Sequence, residues 1–169
     1  MARLRKKPAA IESRAPALYI ECEWLVVAIE AALVERILLA SDTPVRTLPG
    51  SETTVIDTGQ LWAPAWDLDA MLGSEPGRGV SWIVVRAPSS WPIAAFALRA
   101  GRCVCVRAMP RSTELPPGLA QLGAGALRSA FATSSIPELG AYSTGVVLDP
   151  LRILGQDEIS RVAAELERA

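Results

Sequence analysis

The residues whose types and spacing could do chemistry in this chain are three cysteines and a run of aspartates. Cys103 and Cys105 stand two apart on what reads as a strand, so they share a face and could form half of a thiolate metal site. Completing that site needs more soft ligands, and the chain offers one further cysteine, Cys22, and no histidine. The pair therefore reads as small, buried apolar residues. Asp57, Asp67 and Asp69 could pair for acid–base work or hold a divalent cation, but their turn and short-helix positions point to capping. The missing histidine also removes the commonest general base. There is no adjacent glycine pair, no phosphate-cradling loop and no nucleophile elbow, and Gly123-Ala124-Gly125 is too short to count as one.

Recognition is the chemistry that remains. Five tryptophans stand against two phenylalanines and two tyrosines, an imbalance that asks for a use beyond core filling. Trp62 and Trp66 share a strand face with Pro64 and could supply an aromatic anchor for a helical partner. Most of the five read as core.

Composition sets the frame in which such residues are held. Half of the 169 residues are apolar and about a fifth are charged, which supports one domain with a real core, or two small lobes sharing one. The net charge of -1, with both signs interspersed, offers no field for nucleic acid. An odd cysteine count and the lack of a long apolar stretch imply reduced thiols, a cytoplasmic location and no membrane insertion. Residues 1–18 carry Arg3, Arg5, Lys6 and Lys7 with two prolines and no periodic pattern, and read as a flexible basic tail.

The elements follow from periodicity and punctuation. Trp24 to Ile29 and Val34 to Ala40 are β-rich apolar runs expected to pair. Strands at Thr53 to Ile56 and Gln60 to Trp66 flank a turn at Asp57-Thr58-Gly59, and Pro64 makes the second of them an edge or bulged strand. Asp67 to Leu72 is a helical turn ended by Gly73. Further strands are expected at Ser81 to Arg86, Trp91 to Leu98, Arg102 to Ala108, Leu127 to Thr133 and Ala141 to Asp149, with a helical turn at Pro150 to Leu154. Asp157 is placed to cap an amphipathic C-terminal helix over residues 156–169, with Ile159, Val162, Ala163 and Leu166 on one face. Short strands at this spacing predict a mainly all-β domain over residues 19–155.

The order of these segments resembles the CheW family of chemotaxis coupling proteins, from about Trp24 to Glu165. Val34-Glu35-Arg36-Ile37 resembles the family's Val-x-Glu-Ile/Val strand, followed here by the arginine-apolar-proline element within Val45 to Pro49. Val55 to Leu68 is similar to the family's Val-Ile-Asn-Leu-Arg-Gly … Pro-Val-Val-Asp-Leu stretch, with agreement at Val55, Ile56, Gly59, Pro64, Asp67 and Leu68. Ala95 to Arg99 stands in the place of the family's Gly-Leu-Leu-Val-Asp. The pair Leu127 to Phe131 and Gly145 to Leu154 matches the family's closing strands and Leu-rich turn.

The resemblance implies two five-stranded, SH3-like β-barrel lobes with a C-terminal α-helix, and an adaptor role without catalysis or cofactor. It implies two partners: the regulatory domain of a CheA-type histidine kinase on one surface, and the helical cytoplasmic tip of a methyl-accepting chemoreceptor in a groove between lobes. The residues that would serve them are Val34, Glu35, Arg36, Ile37, Thr58, Gly59, Gln60, Trp62 and Arg99. Three charges depart from the family's pattern. Thr58 or, ungapped, Gly59 stands where an arginine precedes the family's glycine, Glu35 and Arg36 invert the position of the acidic residue, and Arg99 replaces an aspartate. They imply an accessory coupling protein with a weakened kinase contact. The alternative is a small β-barrel enzyme or ligand-binding domain, which a deep pocket of clustered ionisable groups would favour.

Overall fold

The computed structural model describes residues 14–140, 142 and 144–169. Among these residues eleven strands form two sheets, with single-turn helices α1 (Leu68–Met71) and α2 (Pro117–Ala120) between strands and a longer helix at the end of the chain. The first sheet takes β1 (Pro16–Glu21), β2 (Val26–Glu30), β9 (Arg102–Ala108), β10 (Leu127–Ala132) and β11 (Thr144–Leu148), in the order β10-β11-β2-β1-β9. The second takes β3 (Val34–Leu39), β4 (Val45–Thr47), β5 (Thr54–Asp57), β6 (Trp62–Asp67), β7 (Ser81–Arg86) and β8 (Ala95–Ala100), in the order β3-β7-β8-β6-β5-β4. The second sheet thus has six strands rather than the expected five, because the short β4 adds to the hairpin of β5 and β6. Both pairing orders are linear, with two ends each.

The inner strands β1, β2, β7 and β8 are buried on both faces, which is why they read as near-continuous apolar runs rather than as alternation. Leu18, Ile20, Val27 and Ile29 of the first sheet meet Ile83, Val85, Phe96 and Leu98 of the second in one shared core. The alternate residues fill two satellite cores, Tyr19, Val26, Ala28 and Phe131 in one lobe and Ile56, Ala63, Trp82 and Val84 in the other. Each sheet therefore curls around a small core of its own while presenting its other face to its neighbour. Tyr19 secures the first lobe: its hydroxyl donates to the Ala108 carbonyl at 2.9 Å, and its ring meets Phe131 edge-on at 5.7 Å.

Several local expectations are revised. β1 starts at Pro16, so the last three residues of the segment read as a tail belong to the sheet, while residues 1–13 lie outside the described residues. β2 and β3 do not pair. A 3-10 turn at Ala31–Leu33 carries the chain from one sheet to the other, where β3 pairs with β7 and β2 with β1 and β11. β6 is an inner strand, but its ladder with β8 covers only Ala65 to Asp67, so Pro64 has a neighbour on the β5 side alone and its missing N–H is tolerated.

Cys103 and Cys105 do not share a face. A bulge opposite Tyr19 and Ile20 makes Val104 an extra residue, which turns Cys103 towards the shared core and Cys105 towards the first lobe's own core.

The C-terminal helix, α3 (Gln156–Arg168), is the expected one, but Gly155 occupies its N-cap and Asp157 lies in the first turn. Ile159, Val162 and Ala163 are buried. The helix is fixed to the second sheet by polar contacts as well. Trp66 Nε1 donates to Glu158 at 2.9 Å, and Glu165 accepts from the hydroxyls of Ser51 and Thr53. The single-turn helix α1 (Leu68–Met71) is capped as read from sequence, Asp67 accepting from the Ala70 N–H at 3.0 Å.

Candidate partner-binding surface

Strand β3 ends its sheet, so one side of its backbone has no strand beside it among the described residues. Val34, Arg36 and Leu38 are half-buried, whereas Glu35, Ile37 and Leu39 face solvent. Ile37 is 44% and Leu39 60% exposed, a high exposure for two large aliphatic side chains on one strand face. Leu39 is a site residue that the family comparison passed over. Its signal was in the sequence, because it lies two positions beyond Ile37 and a strand puts both on the same face.

The other strand face supplies the brace. Arg36 Nη1 donates to the carbonyl of Thr58 at 2.7 Å. This contact links an end strand of the six-stranded order to the hairpin turn near its opposite end, which requires the sheet to curl. The turn is held from within: the Thr58 hydroxyl donates to the Leu61 carbonyl at 2.9 Å, and Asp57 Oδ1 accepts from the Gly59 N–H at 2.7 Å. Gly59 has φ +80°, a backbone that a side chain would strain. A guanidinium thus reaches this turn from β3.

The structure gathers part of the sequence-picked set. Arg36, Thr58 and Gly59 are in one cluster, with Gln60 exposed beside them, Ile37 exposed on β3 and Glu35 exposed at the bulge where β3 slips register against β7. Val34 turns inward onto the shared core, and Thr58 is buried, so both support the surface from beneath. Trp62 is half-buried under the guanidinium of Arg46, 4.2 Å from its ring centroid. Trp66 is committed to Glu158 and to an edge-on contact with Phe96 at 6.1 Å, so it does not join Trp62 as a free anchor. Arg99 stands apart. Its Nε donates to the Gly79 carbonyl at 2.9 Å and its guanidinium lies 5.6 Å from the Trp82 ring.

Burial shifts the titratable groups near the core towards their neutral forms. Burial pushes the Cys22 thiol up, with Asp69 beside it adding to the effect. Burial also raises Asp69, opposed by its hydrogen bond with Cys22. Desolvation raises Cys103 and Cys105 as well. Thiols shifted in this direction are protonated at neutral pH and are poor nucleophiles. Among the described residues, no group of three or more Cys, Asp or Glu side chains is placed to hold a metal ion. No helix among them is long and apolar enough to cross a membrane.

The fold has a solved counterpart. The crystal structure of the scaffolding protein TtCheW from Thermoanaerobacter tengcongensis superposes with a TM-score of 0.64, covering 86% of this chain and 97% of that one at 12% sequence identity. The chain has a CheW-like fold. No protein-family model matches the sequence, and no curated protein matches it either. The likeness therefore lives in the backbone. It spans almost all of TtCheW, while most side chains differ.

Proposed function

We propose that this chain is a non-catalytic adaptor that couples chemoreceptors to a CheA-type histidine kinase by binding both at once through its surfaces. The observation that carries the reading is the exposed face of Ile37 and Leu39 on an end strand, with Glu35 exposed at the bulge before them and Arg36 bracing the strand on the Thr58–Gln60 turn. That face sits on a CheW-like fold, and a flat apolar strip with a charged rim suits a protein partner better than a small molecule.

The receptor's helical cytoplasmic tip and the kinase's regulatory domain are the two partners, met in the cytoplasm. Glu35 points outward and Arg36 is spent on the turn, so the charge offered at this strand differs from the family's pattern. Arg99 is likewise occupied by Gly79 and Trp82. These differences support an accessory coupling protein with a weakened kinase contact.

Pull-down of the full chain with its cognate receptor and kinase tests the proposal. Retention of the receptor with weak retention of the kinase is expected. Equally tight kinase binding removes the accessory role, and failure to retain either partner removes the adaptor reading.

A further inference from the structure

A second recess lies away from the β3 face, between the end of β9 and the segment that follows β10. Its volume is about 520 Å³. Met109, Ile136 and Pro137 make its walls apolar, and three arginines, Arg14, Arg107 and Arg111, stand around it. Glu138 pairs with Arg107. Among the described residues neither Arg14 nor Arg111 forms an ion pair. In sequence, Arg3, Arg5, Lys6 and Lys7 precede Arg14 with Glu12 as the one acid among them, so the preceding segment is basic too, in a protein whose net charge is -1.

Arg14 and Arg111, without ion-pair partners among the described residues, stand with Arg107 around an apolar hollow and define a ligand with two properties. It must carry carboxylates, which arginine engages through paired N–H donors, and it must carry an apolar group to displace water from the walls. A basic segment of this chain would be repelled. A bilayer meets protruding surfaces, whereas these charges rim a concavity.

We propose that this recess binds an acidic peptide segment of a partner protein, in which an apolar side chain is flanked by aspartate or glutamate. The apolar residue sits against Met109, Ile136 and Pro137, and the flanking carboxylates meet Arg14 and Arg111. The site is separate from the β3 surface, so it gives the chain a docking point that does not depend on the chemosensory reading.

Fluorescence anisotropy on the full chain tests this, using a short labelled peptide in which leucine alternates with glutamate and a counterpart carrying lysine for glutamate. The acidic peptide is expected to bind, with affinity that falls as salt is raised, and the lysine peptide is not. The double variant Arg14→Gln/Arg111→Gln is expected to weaken binding about tenfold or more. Unchanged thermal melting of that variant separates lost contact from lost fold. Equal binding of the two peptides, or unchanged affinity in the double variant, overturns the proposal. So does loss of binding when only Arg3, Arg5, Lys6 and Lys7 are changed to glutamine, with the recess variant still binding. Attachment to phosphatidylglycerol vesicles without peptide binding overturns it in favour of a membrane contact.

Discussion

Arg36 and Thr58, twenty-two residues apart, are joined by a guanidinium-to-carbonyl hydrogen bond of 2.7 Å that ties the end strand β3 to the β5–β6 turn. Arg36→Ala removes the donor and leaves a partly buried carbonyl without a partner, at a cost of about 1–2 kcal/mol in denaturant unfolding. Arg36→Lys recovers only part of this, because the ammonium lacks the planar reach of the fork. Partner binding through β3 weakens with both.

Ile37→Asp and Leu39→Asp act on the surface alone. Both side chains are exposed, so stability changes by less than about 0.5 kcal/mol, read from thermal melts. Receptor or kinase retention in pull-down falls sharply, because a carboxylate is desolvated at the centre of an apolar contact. Binding that survives both substitutions would move the partner surface elsewhere.

Glu165 makes the docking of α3 depend on pH. Hydrogen bonds from Ser51 and Thr53, then Arg161, hold its carboxyl at about 2, below the ordinary 4.5. A depressed carboxylate contributes stability that is fully present above the unfolded value and is lost as pH falls through the folded one. The melting midpoint therefore drops between about pH 4.5 and 2, and Glu165→Gln, measured across the same range, shows a smaller drop.

Gly101 lies where β9 passes close to the end of β1. A Cβ placed there would come within 1.6 Å of the Glu21 carbonyl oxygen, a backbone atom that cannot swing aside. Gly101→Ala is expected to cost at least about 2 kcal/mol in chemical denaturation. Gly118→Ala, where nothing lies within 4 Å, serves as the neutral comparison.

What could be read in the sequence was local. The Asp57-Thr58-Gly59 turn, the Asp67 cap and the span of β7 follow from residue chemistry that acts over a few positions. The buried inner strand β1 was obscured because Pro16 and the basic residues before it mask a short apolar run, Ala17 to Ile20, whose burial depends on pairing with β2 on one side and with β9, far along the chain, on the other. Partner strands were misassigned for the same reason: nothing near Glu30 announces that the 3-10 turn after it switches sheets. The opposed cysteines required a bulge against Tyr19, which spacing alone cannot show. At the candidate surface, the order of motifs located β3 and its turn. The bond between Arg36 and Thr58 depends on the curl of a whole sheet, so it became visible only in three dimensions.

The interleaving of the two sheets has a consequence for synthesis. Val34 to Ala100 supplies every strand of the second sheet as one continuous stretch, whereas the first sheet needs β1 and β2 to wait for β9 to β11. On the ribosome the inner lobe can close first. The outer one, with β2 lying parallel to a strand that emerges more than a hundred residues later, completes only when translation is nearly finished. Until then β1 and β2 present unpaired apolar edges, the stretch of this chain most in need of a chaperone.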